Sequence, residues 1–367
     1  MLYHLLYPLA ETIGAFNVFR YITFRTAAAT LTALFLSFLL GPPLIRYLGR
    51  LHVGQPIRAI GPNHQEKEGT PTMGGLLILL SLIVSVLLWA NLESRAVWIV
   101  LGLTTGYGVL GLVDDYRKVK RQNSAGIRAR DKLFWQFLMA FGVALLIYTD
   151  PNFDRELAVP FFKNFTPHLG WIYVPLAALV IVAASNAVNL TDGLDGLAIG
   201  PVMIAAGTFL ILAYAAGHSL IADYLAIKYV AGSGQLAIFC GALVGGGLGF
   251  LWFNTYPAQL FMGDVGSLAL GGALGAIAVV SVLAGLMLDL FYNLSGISAK
   301  AAVGQAAELI PAPVQYTAAL ILIVISVRPM ARSMKGLVEK VGPSKRKTAE
   351  AACGCTEGKD QCLGSRV

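Results

Sequence analysis

Four polar clusters interrupt a largely apolar chain, and each holds acidic residues together with basic residues or glycines. They read EKEGTPTMGG at 66–75, VDDYRK at 113–118, NLTDGLDG at 189–196 and NTYPAQLFMGDVGS at 254–267. Carboxylate oxygens are the hard ligands that Mg²⁺ takes together with phosphate oxygens and water. Lysines neutralise phosphate charge, and glycines let the backbone approach a bulky anion. If the clusters meet in space, they predict a site for a metal ion and a phosphorylated substrate.

The candidate ligands and phosphate partners of this site are few. The aspartates are Asp114, Asp115, Asp192, Asp195 and Asp264, and the lysines are Lys67, Lys118 and Lys132. An aspartate at a helix end also serves as a cap, which is a structural alternative for any single cluster but a weak one for all four. None of the clusters matches the phosphate-binding loop of nucleotide triphosphatases, so nothing supports ATP-driven transport.

The composition indicates where such a site would be placed. The 367 residues are 56% hydrophobic and only 13% charged, with a net charge of +7, whereas a soluble domain carries roughly 25% charged residues. Apolar runs near the roughly 17 to 25 residues needed to cross a bilayer recur along the chain. They lie at 21–41, 74–91, 95–113, 134–149, 171–186, 197–217, 235–253, 266–288 and 309–327. We therefore predict an all-α, polytopic integral membrane protein with about nine to ten transmembrane helices.

The basic residues of the short loops predict the orientation of these spans. If the first span runs inward, the cytoplasmic segments are 42–73, 114–133, 187–196, 254–265 and the tail after 327. The loop 114–133 and the tail are rich in lysine and arginine, whereas the opposite loop 150–170 is not. All four polar clusters then face the cytoplasm at one membrane surface, although the hydropathy pattern did not require this.

The amino-acid sequences of the clusters resemble those of a known family. The segments EGTPTMGGLLI, GLVDDYRKV, NAVNLTDGLDGLA and NTYPAQLFMGDVGSLALGG are similar to those of the bacterial phospho-N-acetylmuramoyl-pentapeptide transferases, also called translocase I. These enzymes belong to the polyprenyl-phosphate N-acetylhexosamine-1-phosphate transferases. The resemblance covers about residues 1–280. It implies transfer of phospho-MurNAc-pentapeptide from UDP-MurNAc-pentapeptide to undecaprenyl phosphate, which gives lipid I and UMP for peptidoglycan synthesis and uses Mg²⁺.

The resemblance also assigns roles to individual residues. Asp264 is expected to be the principal Mg²⁺ ligand, with Asp115 as a second ligand and Asp114 as its partner in activating the lipid phosphate. Lys67 is expected in the catalytic cleft. The residues expected to bind substrate are Asn186, Asn189, Asp192, Asn254, Phe261, Lys118 and Lys132. Attack by Asp264 through a covalent intermediate and direct attack by the lipid phosphate both remain open. Direct attack is the simpler mechanism, since an ionised phosphate mainly needs positioning and charge neutralisation.

The expected setting is the inner (plasma) membrane of a bacterial cell, with a multi-pass chain and a cytoplasmic active site. The expected partners are the two substrates and membrane lipid, with a homodimer compatible with the resemblance and no nucleic acid. We divide the chain into a transferase-like transmembrane domain at 1–280, an atypical transmembrane region at 281–327 and a basic tail at 328–367. The tail contains cysteines and is expected to be disordered.

The C-terminal part departs from the family. The family carries consecutive histidines after the aspartate motif, whereas no histidine follows His218 here. An alternative function is therefore a catalytically impaired or non-catalytic membrane fusion protein, acting in transport or metal handling. Another polyprenyl-phosphate sugar-1-phosphate transferase is a further alternative. The intact aspartate clusters favour the transferase, whereas the missing histidines and the cysteine tail favour the fusion protein.

Overall fold

A computed structural model of the chain describes residues 1–50, 70–121, 126–150, 169–225, 227 and 229–281. The predicted span 309–327 and the predicted regions 281–327 and 328–367 lie outside the described residues, apart from the backbone of Ser281. In the described part the chain is helical and contains no β-strand. The predicted all-α membrane architecture is confirmed.

Ten α-helices follow one another through the described residues. They are α1 Leu2–Leu6, α2 Ile22–Arg50, α3 Gly75–Trp89, α4 Arg95–Arg121, α5 Ala129–Tyr148, α6 Tyr173–Thr191, α7 Ile199–Ala216, α8 Ser219–Tyr224, α9 Gly234–Asn254 and α10 Gly263–Ser281. Short 3₁₀ helices occur at Pro8–Glu11, Gly14–Arg20 and Gly170–Ile172. Within these residues, seven helices are long and apolar enough to cross a membrane, and α3 is a shorter apolar helix.

Eight of the nine predicted spans coincide with helices as far as the structure describes them, the span 266–288 up to Ser281, but several helices continue beyond their apolar run. The prediction that the cluster 113–118 lies in a loop was wrong, because α4 extends to Arg121. The extra turns are stabilised by the ion pair between Lys118 and Asp114, one helical turn apart, and by basic residues near the negative C-terminal end of the helix dipole. The helix α6 likewise continues through Asn189 to Thr191. Hydropathy cannot detect these polar turns.

Successive long helices run in alternate directions, so their ends form two layers. In one layer the starts of α3, α5 and α10 meet the end of α4. There Gly75 N donates to Met262 O at 2.8 Å, and Lys132 of α5 contacts Asp264 of α10. We call this layer the site end of the bundle. All the predicted site residues that the structure describes belong to it.

The opposite end is held by a separate set of polar contacts. Tyr173 at the start of α6 lies 3.4 Å from the carbonyl oxygen of Val279 near the end of α10. Arg25, buried near the start of α2, donates to Gln235 Oε1 of α9 at 3.1 Å. Its guanidinium also lies 4.2 Å from the centre of the Tyr3 ring. Far from the site end, these contacts join α6 to α10, and they join α2 to both α9 and the N-terminal segment.

The core lies along α9 and α10, which are the most enclosed of the long helices. The helix α9 packs against α2 and α7, and α10 packs against α4 and α6. Both central helices are rich in glycine and alanine, which lets neighbouring backbones approach closely. This close packing brings α4, α6 and α10 together, and those three helices carry most of the predicted site.

Candidate active site

Three aspartates from two distant parts of the chain form the centre of the site end. Asp114 and Asp115 come from the end of α4, and Asp264 lies in the first turn of α10. Each contributes a carboxylate oxygen, and these oxygens lie within 4.8 Å of one another. Asp114 and Asp115 are buried, and Asp264 is half-buried. Two of the four polar clusters, 113–118 and 254–267, therefore meet in space as the sequence predicted.

Two lysines neutralise most of this negative charge. Lys118 Nζ lies 2.9 Å from Asp264 Oδ2 and 2.6 Å from Asp114 Oδ2. Lys132 Nζ lies 2.6 Å from the same Asp264 oxygen. Three carboxylates face two ammonium groups, so the cluster keeps one formal negative charge in excess. Both lysines can turn to a phosphate group without leaving the cluster, because each side chain is flexible and partly exposed.

Two glycines allow α4 and α10 to approach closely enough for the aspartates to meet. A side chain at Gly111 would place its Cβ 2.2 Å from the backbone oxygen of Asp264, which is too close for any residue but glycine. Gly263 has a φ of +72° in the left-handed region, and its missing Cβ would lie 2.5 Å from Asp115 Oδ2. In this arrangement the Val265 amide donates to Asp115 Oδ2 at 3.2 Å.

The polar end of α6 borders the aspartates. Ser267 of α10 lies 2.7 Å from Asn189 Oδ1, which ties the two helices together beside Asp264. Asn186 lies one turn earlier and is half-buried. Asp192 follows the last residue of α6. Burial, reinforced by the charges of Asp264 and Asp195, raises the pKa of Asp192 to about 7.

Asn254 is the last residue of α9, and Phe261 lies in the segment between α9 and α10. Asn254 is buried, accepts from the Gly196 amide at 2.9 Å and donates to Leu260 O at 2.8 Å. It therefore joins the loop after α6 to the loop before α10. The Phe261 ring is half-buried, and its backbone is fixed by a 2.9 Å bond from its amide to Pro71 O. Lys67 lies outside the described residues.

Two polar residues that sequence reasoning missed also belong to this end. Gln136 on α5 is fully buried and accepts from Asn186 Nδ2 at 2.9 Å. The hydroxyl of Thr72 is buried next to Gly263 and has no hydrogen-bond partner in the described part of the chain. Gln136 stands alone in an apolar helix, so no pattern marked it. Thr72 belongs to the TPTMGG segment, which did offer a signal.

The donor set suits a hard divalent cation. Three carboxylates that share a small volume offer only oxygen ligands, as Mg²⁺ prefers, and leave room for phosphate oxygens and water. Among the described residues, the ligand atoms of this cluster are all carboxylate oxygens, which favour hard cations over softer metals. The arrangement can hold a cation beside two lysines, and these positive charges can stabilise the negative charge of a diphosphate.

Several known proteins are similar to this chain in amino-acid sequence. The chain is 56% identical over 282 residues to a phospho-N-acetylmuramoyl-pentapeptide-transferase of Pelobacter propionicus, an alignment that covers 77% of this chain and 79% of the relative. The chain belongs to the phospho-N-acetylmuramoyl-pentapeptide-transferase family. The family resemblance drawn from the sequence is therefore confirmed.

Two further relatives and two family models support the same family assignment. Phospho-N-acetylmuramoyl-pentapeptide-transferases of a Geobacter species and of Syntrophus aciditrophicus are 57% and 58% identical, each over 77% of this chain and 79% of the relative. The family model described as glycosyl transferase family 4 matches residues 97–282. The phospho-N-acetylmuramoyl-pentapeptide-transferase signature 1 matches residues 67–79, which include the TPTMGG segment and Lys67. The family models therefore span all three aspartates of the cluster and the segment that packs beside them.

Proposed function

We propose that this chain transfers phospho-MurNAc-pentapeptide from UDP-MurNAc-pentapeptide to undecaprenyl phosphate, giving lipid I and UMP. The observation that carries the proposal is the cluster of Asp114, Asp115 and Asp264 with two lysines, in a member of this transferase family. The cluster lies at the ends of membrane-length helices. One substrate is soluble and the other has a long lipid chain, so the reaction needs a polar site at the border of the bilayer.

In the proposed reaction, an oxygen of undecaprenyl phosphate forms a bond with the β-phosphorus of the UDP-sugar. The bond between that phosphorus and the oxygen bridging to the α-phosphorus breaks, and UMP leaves with the electron pair. Little covalent chemistry is required of the protein, which supplies positioning and charge neutralisation. The ammonium groups of Lys118 and Lys132 both lie next to one oxygen of Asp264. A diphosphate bound beside Asp264 is therefore within reach of both lysines, which can neutralise its charge.

We assign Asp264 and Asp115 as ligands for Mg²⁺, with Asp114 beside them. When bound, Mg²⁺ would neutralise charge on the diphosphate and on the departing UMP. The metal assignment is tested by removing divalent ions with EDTA, which should abolish UMP release, and by adding Mg²⁺ or Mn²⁺, which should restore it. Full turnover in EDTA would contradict a metal-dependent site.

The contacts of Asp264 favour direct attack by the lipid phosphate over a covalent intermediate. The Asp264 Oδ2 atom is in contact with both lysine ammonium groups. A carboxylate that is paired with two cations is a weaker nucleophile than the phosphate of the lipid substrate. We therefore propose that Asp264 acts through its charge.

The nucleoside end of the donor is proposed to bind along α6 and the segment before α10. Asn186, Asn189 and Asp192 supply polar groups there, and Phe261 supplies an aromatic face on which uracil can stack. Asn254 joins the two segments. We place the site end at the cytoplasmic surface of the bacterial inner membrane, because UDP-linked precursors are soluble and the basic loops predict that side.

The experiment that tests the proposed function compares sugar donors. Detergent-purified protein is incubated with undecaprenyl phosphate, Mg²⁺ and either UDP-MurNAc-pentapeptide or UDP-N-acetylglucosamine, and UMP is measured. We expect release only from the muramoyl donor. Release from UDP-N-acetylglucosamine alone would identify a different sugar-1-phosphate transferase. Failure with both donors would support the non-catalytic membrane protein.

A further inference from the structure

Gln136 is a fully buried polar residue in the apolar helix α5, one turn after Lys132. Its side-chain oxygen Oε1 accepts from Asn186 Nδ2 at 2.9 Å. Its backbone oxygen accepts from the Tyr107 hydroxyl at 2.8 Å, which holds this turn of α5 against α4. Its own amide nitrogen is buried without a partner among the described residues. Burying a polar side chain at membrane depth costs free energy, so the presence of Gln136 in this helix suggests a function for it.

The hydrogen bonds of Asn186 determine the orientation of its amide. Asn186 Nδ2 has two hydrogens, and its acceptors are Val182 O at 2.8 Å and Gln136 Oε1 at 2.9 Å. The Val182 carbonyl can only accept, so the nitrogen of Asn186 must face it. Both hydrogens are then used within the protein. Within the described part of the chain, the Oδ1 atom of Asn186 remains free to accept a hydrogen bond, in a fixed orientation.

We propose that Gln136 is a positioning residue that holds Asn186 with its Oδ1 atom available to a donor group of the sugar nucleotide. This inference rests on the proposed function and deepens it. The substrate offers suitable donors in the uracil imide, the ribose hydroxyls and the acetamido group. A site built to accept such a hydrogen bond discriminates against analogues that lack the donor, because its own acceptor is then left unpaired.

The variant Gln136→Met tests this role. Methionine has a similar volume, but it removes the acceptor for Asn186 together with the unpartnered buried amide. We expect the thermal stability of the protein to stay the same or rise, since an unsatisfied buried group is lost. We expect the Kd for UDP-MurNAc-pentapeptide, measured by calorimetry, to rise about tenfold. KM should rise with it, while kcat changes less than about twofold.

A matched control is the same substitution at the opposite end of the bundle. Gln235→Met removes an acceptor that Arg25 and the Asn91 amide share, so it should lower the thermal stability and leave the Kd for the sugar nucleotide unchanged. If Gln136→Met behaved in the same way, with lower stability and wild-type Kd, its role would be structural and the proposal would be wrong.

A double-mutant cycle with Asn186→Ala completes the test. If Gln136 acts through Asn186, the double variant should bind UDP-MurNAc-pentapeptide no more weakly than Asn186→Ala alone. Additive losses would mean that the two residues act independently and would overturn the proposal. A wild-type protein that does not bind UDP-MurNAc-pentapeptide would instead refute the proposed function, and with it this inference.

Discussion

Asp264 is the residue on which the charges of the site converge. Its Oδ2 atom pairs with lysines from α4 and α5, although Asp264 itself begins α10. Three helices are therefore joined through one carboxylate. Lys120, only two residues after Lys118, faces outward and is exposed. These two neighbouring lysines of the same helix therefore lie in different surroundings.

The variant Asp264→Asn keeps the size of the side chain and removes its charge. Because the charge pairs with two lysines and is proposed to bind the metal ion, we expect turnover to fall about 100-fold or more. Turnover is measured by UMP release, and folding is checked by the elution profile in detergent. The control Lys120→Ala should stay within about twofold of wild type. Equal losses in both variants would contradict the division between site and surface.

We expect Asp192 to make the stability of the protein depend on pH. Its pKa is raised from 3.8 to about 7 by burial and by neighbouring carboxylates. Below its ordinary pKa both the folded and unfolded states are protonated, and the group has no effect. Between these two values the unfolded state gives up the proton more readily, so stability falls as the pH rises and levels off above the folded pKa.

The variant Asp192→Asn should remove this pH dependence. We expect its thermal stability to exceed that of the wild type at pH 8, with the difference shrinking as the pH falls towards 4. Thermal melts in detergent across this range provide the measurement. Asp131→Asn, at an exposed position of α5, serves as the control and should show no such pH-dependent gain. A constant difference at every pH would mean that charge on Asp192 is not the cause.

At the scale of the helices, the close approach of α4 and α10 decides whether the aspartates meet. The contact depends on Gly111, which faces the backbone of Asp264. Gly102 lies on the same helix, but open space surrounds it. Comparing alanine substitutions at Gly111 and Gly102 therefore separates the effect of the helix contact from the general effect of replacing glycine in a helix.

The variant Gly111→Ala should push the start of α10 away from α4, since its Cβ would lie 2.2 Å from Asp264 O. We expect lower thermal stability and a loss of turnover of at least about tenfold, because the carboxylates and lysines would separate. Gly102→Ala should be neutral or raise the thermal stability, because alanine favours helix by about 1 kcal/mol over glycine. Both are measured by thermal melts and UMP release, and a neutral Gly111→Ala would contradict this role for the contact.

The helices could be predicted from the sequence, because burial in a bilayer demands long apolar runs that composition reveals. The polar turns at the ends of α4 and α6 could not, since ion pairs and packing stabilise them. The meeting of Asp115 with Asp264 could be predicted, because the basic loops put both clusters at one membrane surface and the resemblance assigns both residues to the metal site. The buried partner Gln136 was not predicted, because its role depends on a contact between α5 and α6.

At the scale of the whole molecule, the sequence predicts that the part of the chain after the described bundle differs from the usual family ending. The aspartate cluster and the proposed nucleoside residues all lie before residue 282. The resemblance implies a histidine-bearing segment after them, and the sequence has no histidine after His218. Binding of the sugar nucleotide and the rate of transfer are therefore expected to respond differently to the C-terminal part.

Replacing the residues after Val280 with the usual C-terminal segment of the family tests whether the rate of transfer and the binding of the sugar nucleotide respond differently. We expect the graft to raise the rate of transfer, because added polar groups near the sugar phosphate would stabilise the transition state. The Kd for the sugar nucleotide should change little, since the residues proposed to bind it lie on α6 and before α10. UMP release and calorimetry on both chains measure the two quantities. A natural chain as fast as the graft would show that the histidines are dispensable here.

The central claim is that this chain forms lipid I. The most direct measurement is mass spectrometry of the lipid product made by the purified protein from UDP-MurNAc-pentapeptide, undecaprenyl phosphate and Mg²⁺, with UMP quantified in the same reaction. We predict undecaprenyl-diphospho-MurNAc-pentapeptide in equal amount to UMP. Neither product should form when the lipid phosphate is omitted, and Asp264→Asn should form both at least about 100-fold more slowly. UMP without the lipid product, or no product from the wild type, would contradict the account.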